Sequence, residues 1–313
     1  MSSYDMDHLP CVSNACVAGV PPLTEWFKSP TQPWEWAGGP LSALAQLSEY
    51  QVFCLTFPLL CIGYTLSVTP FMVLERVKHP FFEKFRVNEG VYHSGKAKQR
   101  CLWGVAQAFL GQVLPMQILS YPLFRVFGTR ADIPLPPLWL AAMQLAMFFV
   151  VEDYLNYWLH RWLHTPWAYN AIHRVHHEYS LTVSLAASYA HWAEIIILGI
   201  PSFVGPAVCG GCHVLLLWAW ILLRQLEAVD THSGYDFPWD PTKLVPGYVG
   251  PEFHDYHHFA YSGNFASIFR WCDAVYGTDS GYRAWHAKGG SGPRGRPLDI
   301  NSLAGVSKPQ KMK

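Results

Sequence analysis

Residues 134–164 read PLPPLWLAAMQLAMFFVVEDYLNYWLHRWLH, and the fold turns on how this stretch is read. Positions 134–151 are an apolar run. The continuation keeps helical character and meets no Gly or Pro before Pro166. Such a helix leaves a bilayer near Glu152 and carries His160 and His164 on its extension, where residues i and i+4 share a face. One segment therefore joins lipid to paired imidazoles. It predicts an all-α integral membrane protein whose site sits in a helical cap at the membrane face.

The chain before it supplies two more apolar runs. Residues 51–74 carry no charge over 24 positions, enough at about 1.5 Å per residue to cross a hydrocarbon core of about 30 Å. Residues 101–124 are also uncharged, but Gln107, Gln112 and Gln117 suggest one side facing a polar interior. Between them lie Arg76, Lys78, Lys84, Arg86, Lys96, Lys98 and Arg100, the most basic short loop, which the positive-inside rule places in the cytosol. The third run then exits on that same side, so the cap is expected to face the cytosol.

A last apolar region, 192–223, is broken by Pro201, Gly205-Pro206 and Gly210-Gly211. As one helix it would be about 48 Å long, too long for one crossing, and it is short for two. A helical hairpin with its apex near 205–211 fits, and it returns the chain to the side it left. Residues 1–50 form a Pro/Gly-rich N-terminal segment, 51–285 the membrane-embedded catalytic domain, and 286–313 a tail expected to be disordered. The final KPQKMK partly resembles a dilysine retrieval signal.

Composition agrees with a chain partly in lipid. Charged residues are 14% against about 25% in soluble domains. Net charge is zero, which gives no footprint for nucleic acid. The eight cysteines are scattered. The one CxxC, Cys209 to Cys212, lies in an apolar stretch and reads as a tight turn, not a metal or redox site. No basic segment followed by an apolar run opens the chain, so no cleaved signal peptide is expected.

Histidine is the outlier. HRWLH at 160–164 is followed by HRVHH at 173–177 and HDYHH at 254–258. With 15 histidines in 313 residues, His-x-x-His-His is expected by chance about 0.03 times, yet it occurs twice. On α-helices each box would point its imidazoles together. Imidazole suits Zn, Cu, Fe and Ni, and the number of rings exceeds what one ion takes, so two ions are the economical reading. The candidate ligands are His160, His164, His173, His176, His177, His254, His257 and His258, with His232 and His191 added from the intervening chain. His8, His79, His93, His213 and His286 read as ordinary core or surface residues. Asp153, Glu178, Glu194, Asp230, Asp236 and Asp255 lie close enough in sequence to accept the second N–H of a ligating ring. Structural zinc sites use four ligands, usually with Cys, and transporters place ionisable groups inside their spans. Neither pattern fits, which leaves a metal-binding scaffold or transporter as a remote alternative to an enzyme.

The three boxes, in this order around membrane spans, resemble the fatty acid hydroxylase/sterol desaturase superfamily. HEYS after the second box, THSGYDFPW before the third, and FHDYHHFAYSGNFASIFRWCDAVYGTDSGY around it look most like the sterol 4-methyl oxidases, or methylsterol monooxygenases. The resemblance covers about residues 50–285. It implies a non-heme centre of two Fe ions that activates O2, fed electrons by cytochrome b5 and its NAD(P)H-dependent reductase in the endoplasmic reticulum membrane. The substrate it implies is a sterol whose 4-methyl group goes to alcohol, aldehyde and carboxylate. Zinc can occupy such sites in an overexpressed, purified sample. Sterol C-5 desaturation, sterol side-chain hydroxylation and fatty-acyl hydroxylation are the alternatives within the superfamily. Two departures touch the substrate side: Trp192 stands where the family commonly has Pro, and Ala187 and Ser188 where it tends to be acidic. The chain has neither a GxGxxG fingerprint nor a P-loop, so no bound nucleotide cofactor is expected.

Overall fold

The computed structural model describes residues 46–288 apart from 89 and 132–134. Among these residues it is helical throughout, with isolated β-bridges and no strand. Three helices are long and apolar enough to cross a membrane: α1 (Glu49–Val77), α3 (Gly95–Leu119) and, after the short α2 (Pro80–Glu83) and α4 (Tyr121–Val126), α5 (Leu138–Leu163). Leu66, Leu110, Leu119 and Met143 are more than half exposed on these helices. Without lipid such a rim would be an aggregation surface; with lipid it is the expected outer face.

Local chemistry sets the ends. Ser48 and Gln51 form a reciprocal capping box that starts α1, and Lys78 closes it in the left-handed region at φ 52°. Pro58 and Pro70 lie inside α1. Thr65 and Thr69 donate to the carbonyls of Cys61 and Thr65, the kind of side-chain bonding that tolerates proline in membrane helices. Within α3 the turn Phe109–Val113 is a π-helix. Such turns insert an extra residue and recur near functional sites.

The last apolar region is a hairpin, as the sequence suggests, but its limits differ. The first arm runs from α7 (Trp192–Gly199) into α8 (Pro201–Val208), and the second is α9 (Val214–Thr231). The turn lies at 209–213, overlapping the C-terminal part of the expected apex at 205–211, because Pro206 is accommodated inside α8. Gly211 makes the turn: at φ +100° a Cβ there would stand 2.3 Å from the Phe127 carbonyl oxygen. Cys209 and Cys212 in this turn are free thiols. The second arm runs past 223 because Arg224 and Glu227 pair with each other in the interior. At the other end the basic loop meets the segment after α9: Val87 N–H donates to Gly234 O, and Asp236 N–H to Phe85 O. The second and third His boxes thus stand on the same side as residues 78–94. At the far end Arg125 pairs with Glu49.

Close approach at glycines seats the first arm against α5 and the second against α1. A Cβ on Gly205 would meet Phe148 Cα at 2.8 Å, and one on Gly63 would meet Leu222 at 2.3 Å. Small residues at such crossings are how helices associate in a solvent as apolar as themselves. The last described helix reaches Ala287. The N-terminal segment to residue 45, and the tail from 289, lie outside the described residues.

Candidate metal centre

Nine histidines converge in two adjoining nests. His160, His164, His173, His177 and His257 form one, and His176, His232, His254 and His258 the other; within each, the nitrogens lie within 4.8 Å of one another. His160 and His164 come from the C-terminal end of the long helix α5. His173, His176 and His177 sit on a 3-10 turn, His173–Glu178, which follows α6 (Pro166–Ala171). His232 caps the end of α9, and the third box lies on α10 (Gly250–Ala260). All nine are buried.

The boxes do not each serve one point, as the i, i+3, i+4 reading expects. Each His-His pair is divided between the nests: His177 from His176, and His257 from His258. Neighbouring residues diverge by about 100–120° around a helix axis, so adjacent rings cannot face one ion. The i and i+4 members stay together and the i+3 member crosses over. The second and third boxes therefore exchange one ring each. The nests touch where the His177 and His258 centroids come within 4.4 Å.

Nitrogen spacing fits ions. His160–His173 and His173–His177 are 3.1 Å apart between Nε2 atoms. His176–His232 are at 3.2 Å, His232–His254 at 3.0 Å and His254–His258 at 3.2 Å. Two imidazole nitrogens bonded to one ion at about 2.1 Å stand about 3.0–3.4 Å apart. Six of the nine rings have an outer nitrogen held as ligands require, while Nδ1 of His177 and of His258 is buried without a protein partner. Nδ1 of His160, His164, His176, His232 and His257 meets the carbonyls of Phe265, Tyr261, Tyr189, Ala228 and Gly263. Each carbonyl can only accept, so these rings carry their proton on Nδ1 and aim a lone pair inward. Nε2 of His164 and of His257 is buried with no protein partner, an arrangement that costs stability unless an ion completes it. Burial pushes the His176 imidazole down to about 4 and His232 to about 3. It holds His164, His173, His177, His254, His257 and His258 well below the usual range, aided by their neighbours' like charge. Neutral rings are the ligating form.

His191 joins neither nest. It caps the N-terminus of α7, its Nδ1 accepting from Ala193 N–H. Of the carboxylates expected around the ligands, Glu194 alone meets a nest ring: its Oε1 accepts from His173 Nδ1 at 2.8 Å. The others act on backbone or lie further off. Asp153 accepts from Ile268 N, Phe269 N and Trp271 Nε1. Asp255 accepts from Thr182 and Asn88, fastening the loop before Val183 to α10. Glu178 takes Arg100 and the Tyr189 hydroxyl, steadying the residue whose carbonyl serves His176. Asp230 accepts from Tyr248, and Asp236 pairs with Lys243. Sequence reasoning missed Asp273, which accepts from Phe265 N and Ala266 N and so holds the GNFAS loop whose carbonyls orient His160 and His257. It also passed over Asn156, Arg224 and Glu227. The signal was there: a charge at 152 and another at 224 interrupt apolar runs, and opposite charges buried in such runs seek each other. Glu152, expected near the exit from lipid, is fully buried and paired with Arg224.

A cavity of about 300 Å³ opens beside the nests. Its wall includes His160, His173, His176, His232 and His254, with Leu60, Phe109, Val113, Ile195 and Leu198 from the apolar helices. The π-turn of α3 thus faces the site.

Glu194→Ala is expected to lower metal affinity about 10–100-fold, the usual cost of losing a carboxylate behind a ligating ring. Metal retained after dialysis against a graded chelator series measures it.

Comparison with known proteins agrees with this geometry. The fatty acid hydroxylase family model matches residues 145–278, the stretch that holds every nest histidine. The chain is 47% identical to methylsterol monooxygenase 1-3 of Arabidopsis thaliana over 76% of its length and 82% of the relative's. It is 45% identical to methylsterol monooxygenase 1-1 of the same plant, over 76% and 82%. It is 46% identical to very-long-chain aldehyde decarbonylase GL1-10 of Oryza sativa subsp. japonica, over 78% and 83%. No solved structure matches. With a family match centred on the histidine nests and identity of this order across most of the chain, the protein belongs to the fatty acid hydroxylase family.

Proposed function

We propose that the protein is a di-iron monooxygenase of the endoplasmic reticulum membrane that oxidises the 4-methyl group of a sterol. One observation carries the reading: two all-histidine nests, of five and four rings, stand beside a cavity whose other walls belong to apolar helices. Two iron ions bound there would supply what no side chain can, reductive activation of O2 and attack on an unactivated C–H bond. The relatives' name, methylsterol monooxygenase, gives the substrate class.

The chain's own residues prepare this chemistry. The five carbonyl acceptors and Glu194 fix the tautomers of six of the nine rings, which preorganises both nests. Burial keeps the imidazoles neutral and excludes bulk water. The cavity admits an apolar ring system from the bilayer. Each round consumes one O2, two electrons and two protons; one oxygen atom enters the substrate and the other leaves as water. Repetition takes methyl to alcohol, aldehyde and carboxylate. With no nucleotide-binding fingerprint in the chain, the electrons come from cytochrome b5 and its NAD(P)H-dependent reductase. Under the positive-inside rule, the basic loop favours their approach from the cytosolic face.

The test is complementation of a strain lacking its own sterol 4-methyl oxidase. Restored growth with disappearance of accumulated 4,4-dimethyl sterol supports the reading. Failure to restore growth by an expressed, metal-loaded protein overturns it. Conversion of a fed very-long-chain aldehyde to alkane, without sterol turnover, would favour the activity in the rice relative's name.

A further inference from the structure

The cavity wall carries charge that the nests do not use. Helices α5 and α9 both end at the nests. By rise per residue, Asn156 stands about 6 Å along α5 before His160, and Glu152 about 12 Å. Along α9, Glu227 stands about 7.5 Å before His232, and Arg224 about 12 Å. The two helices are cross-linked at these levels. Arg224 Nη2 meets Glu152 Oε1 at 2.8 Å and donates to Ser267 Oγ at 2.8 Å. Arg224 Nη1 pairs with Glu227 Oε2, and Asn156 Nδ2 donates to Glu152 Oε1 at 3.1 Å. Glu152 is 0% exposed, Asn156 6% and Glu227 8%. Asn156, Arg224, Glu227 and Ser267 all line the cavity. Glu152 Oε2, Arg224 Nε and Gln225 Oε1 are buried without a hydrogen-bond partner.

Tying two helices together does not require this. A buried ion pair is weak evidence for stability, since apolar residues of similar volume often serve as well. A few polar groups in an otherwise apolar cavity are what fixes a ligand's orientation. A 4-methyl sterol has one polar group, a hydroxyl, on the carbon next to the one bearing the methyl. Whatever grips that hydroxyl must therefore lie within about one helical turn of the ligands, which is the level of Asn156 and Glu227.

We infer that Glu227 and Asn156 form the subsite for the sterol hydroxyl, with Arg224 and Glu152 as positioning residues behind them. The Glu227 carboxylate accepts the hydroxyl proton's hydrogen bond and the Asn156 amide meets the hydroxyl oxygen. This grip sets which carbon faces the ions. The inference rests on the sterol reading above.

The test uses the full-length protein, reconstituted with cytochrome b5 and its reductase, and two substrates: a 4-methyl sterol and its 3-deoxy analogue. Wild-type protein is expected to prefer the hydroxylated sterol by about 10–100-fold in kcat/KM, the size of a hydrogen bond to a charged group. In Glu227→Gln, and in Asn156→Leu as the second variant, that ratio should fall toward unity while metal content stays at the wild-type level. Displacement of a fluorescent sterol from metal-free protein should lose the same discrimination, a readout independent of turnover. Wild-type protein that oxidises or binds both compounds equally overturns the inference alone. So do variants whose rates on both compounds fall by one factor. Wild-type protein that turns over neither sterol overturns the sterol reading, and the inference with it.

Discussion

His257→Ala and His176→Ala should each abolish turnover, with losses of more than about 10³-fold in kcat, because each removes one of the crossed-over rings. His257 belongs to the five-ring nest although its box companions His254 and His258 serve the other; His176 is the mirror case. Deleting either opens one nest and leaves the neighbouring ring of the same box in place. Metal analysis should find the two variants losing different ions. His257→Ala vacates a nest that keeps four rings, and His176→Ala one that keeps three. The nest left with three rings should release its ion more readily under chelator. Folding should survive in both, since each ring is one side chain within a packed cap. Full activity in either variant would end the ligand assignment, and so would equal metal loss in two variants of opposite nests.

Asp273→Ala comes next in expected effect. Its carboxylate takes the N–H groups of Phe265 at 2.9 Å and Ala266 at 2.7 Å, along with the Thr278 hydroxyl. Alanine leaves two buried backbone donors without a partner, each costing about 1–3 kcal/mol. The same loop supplies the carbonyls that orient His160 and His257. Loss of thermal stability should therefore come with a weaker five-ring nest and an unaffected four-ring nest. A Tm drop with both nests equally weakened would mean the whole cap had loosened. An unchanged Tm would mean that the loop is held by something else.

Much of this molecule is written locally. The uncharged runs at 51–74 and 101–124 must be helical, because lipid leaves backbone groups no partner but their own chain. The apolar run before His160 had to become a helix for the same reason, and its continuation carries the first box. Two other residues mark where this logic stops. Arg224 looked like an end of the apolar hairpin, and Glu152 like an exit from lipid. Both are interior because each supplies the charge the other needs, and such pairing spans 72 positions of sequence.

The sequence by itself determined the helical membrane architecture and eight of the ring positions that converge, since apolar length and histidine spacing are local quantities that need no neighbour to be read. Only the tertiary structure decided how the rings divide between two nests, that His191 stays out while His232, a candidate from the sequence, joins, and that carbonyls do most of the orienting. Those outcomes depend on which backbone segments the packed cap brings behind each imidazole, and one-dimensional spacing does not encode that.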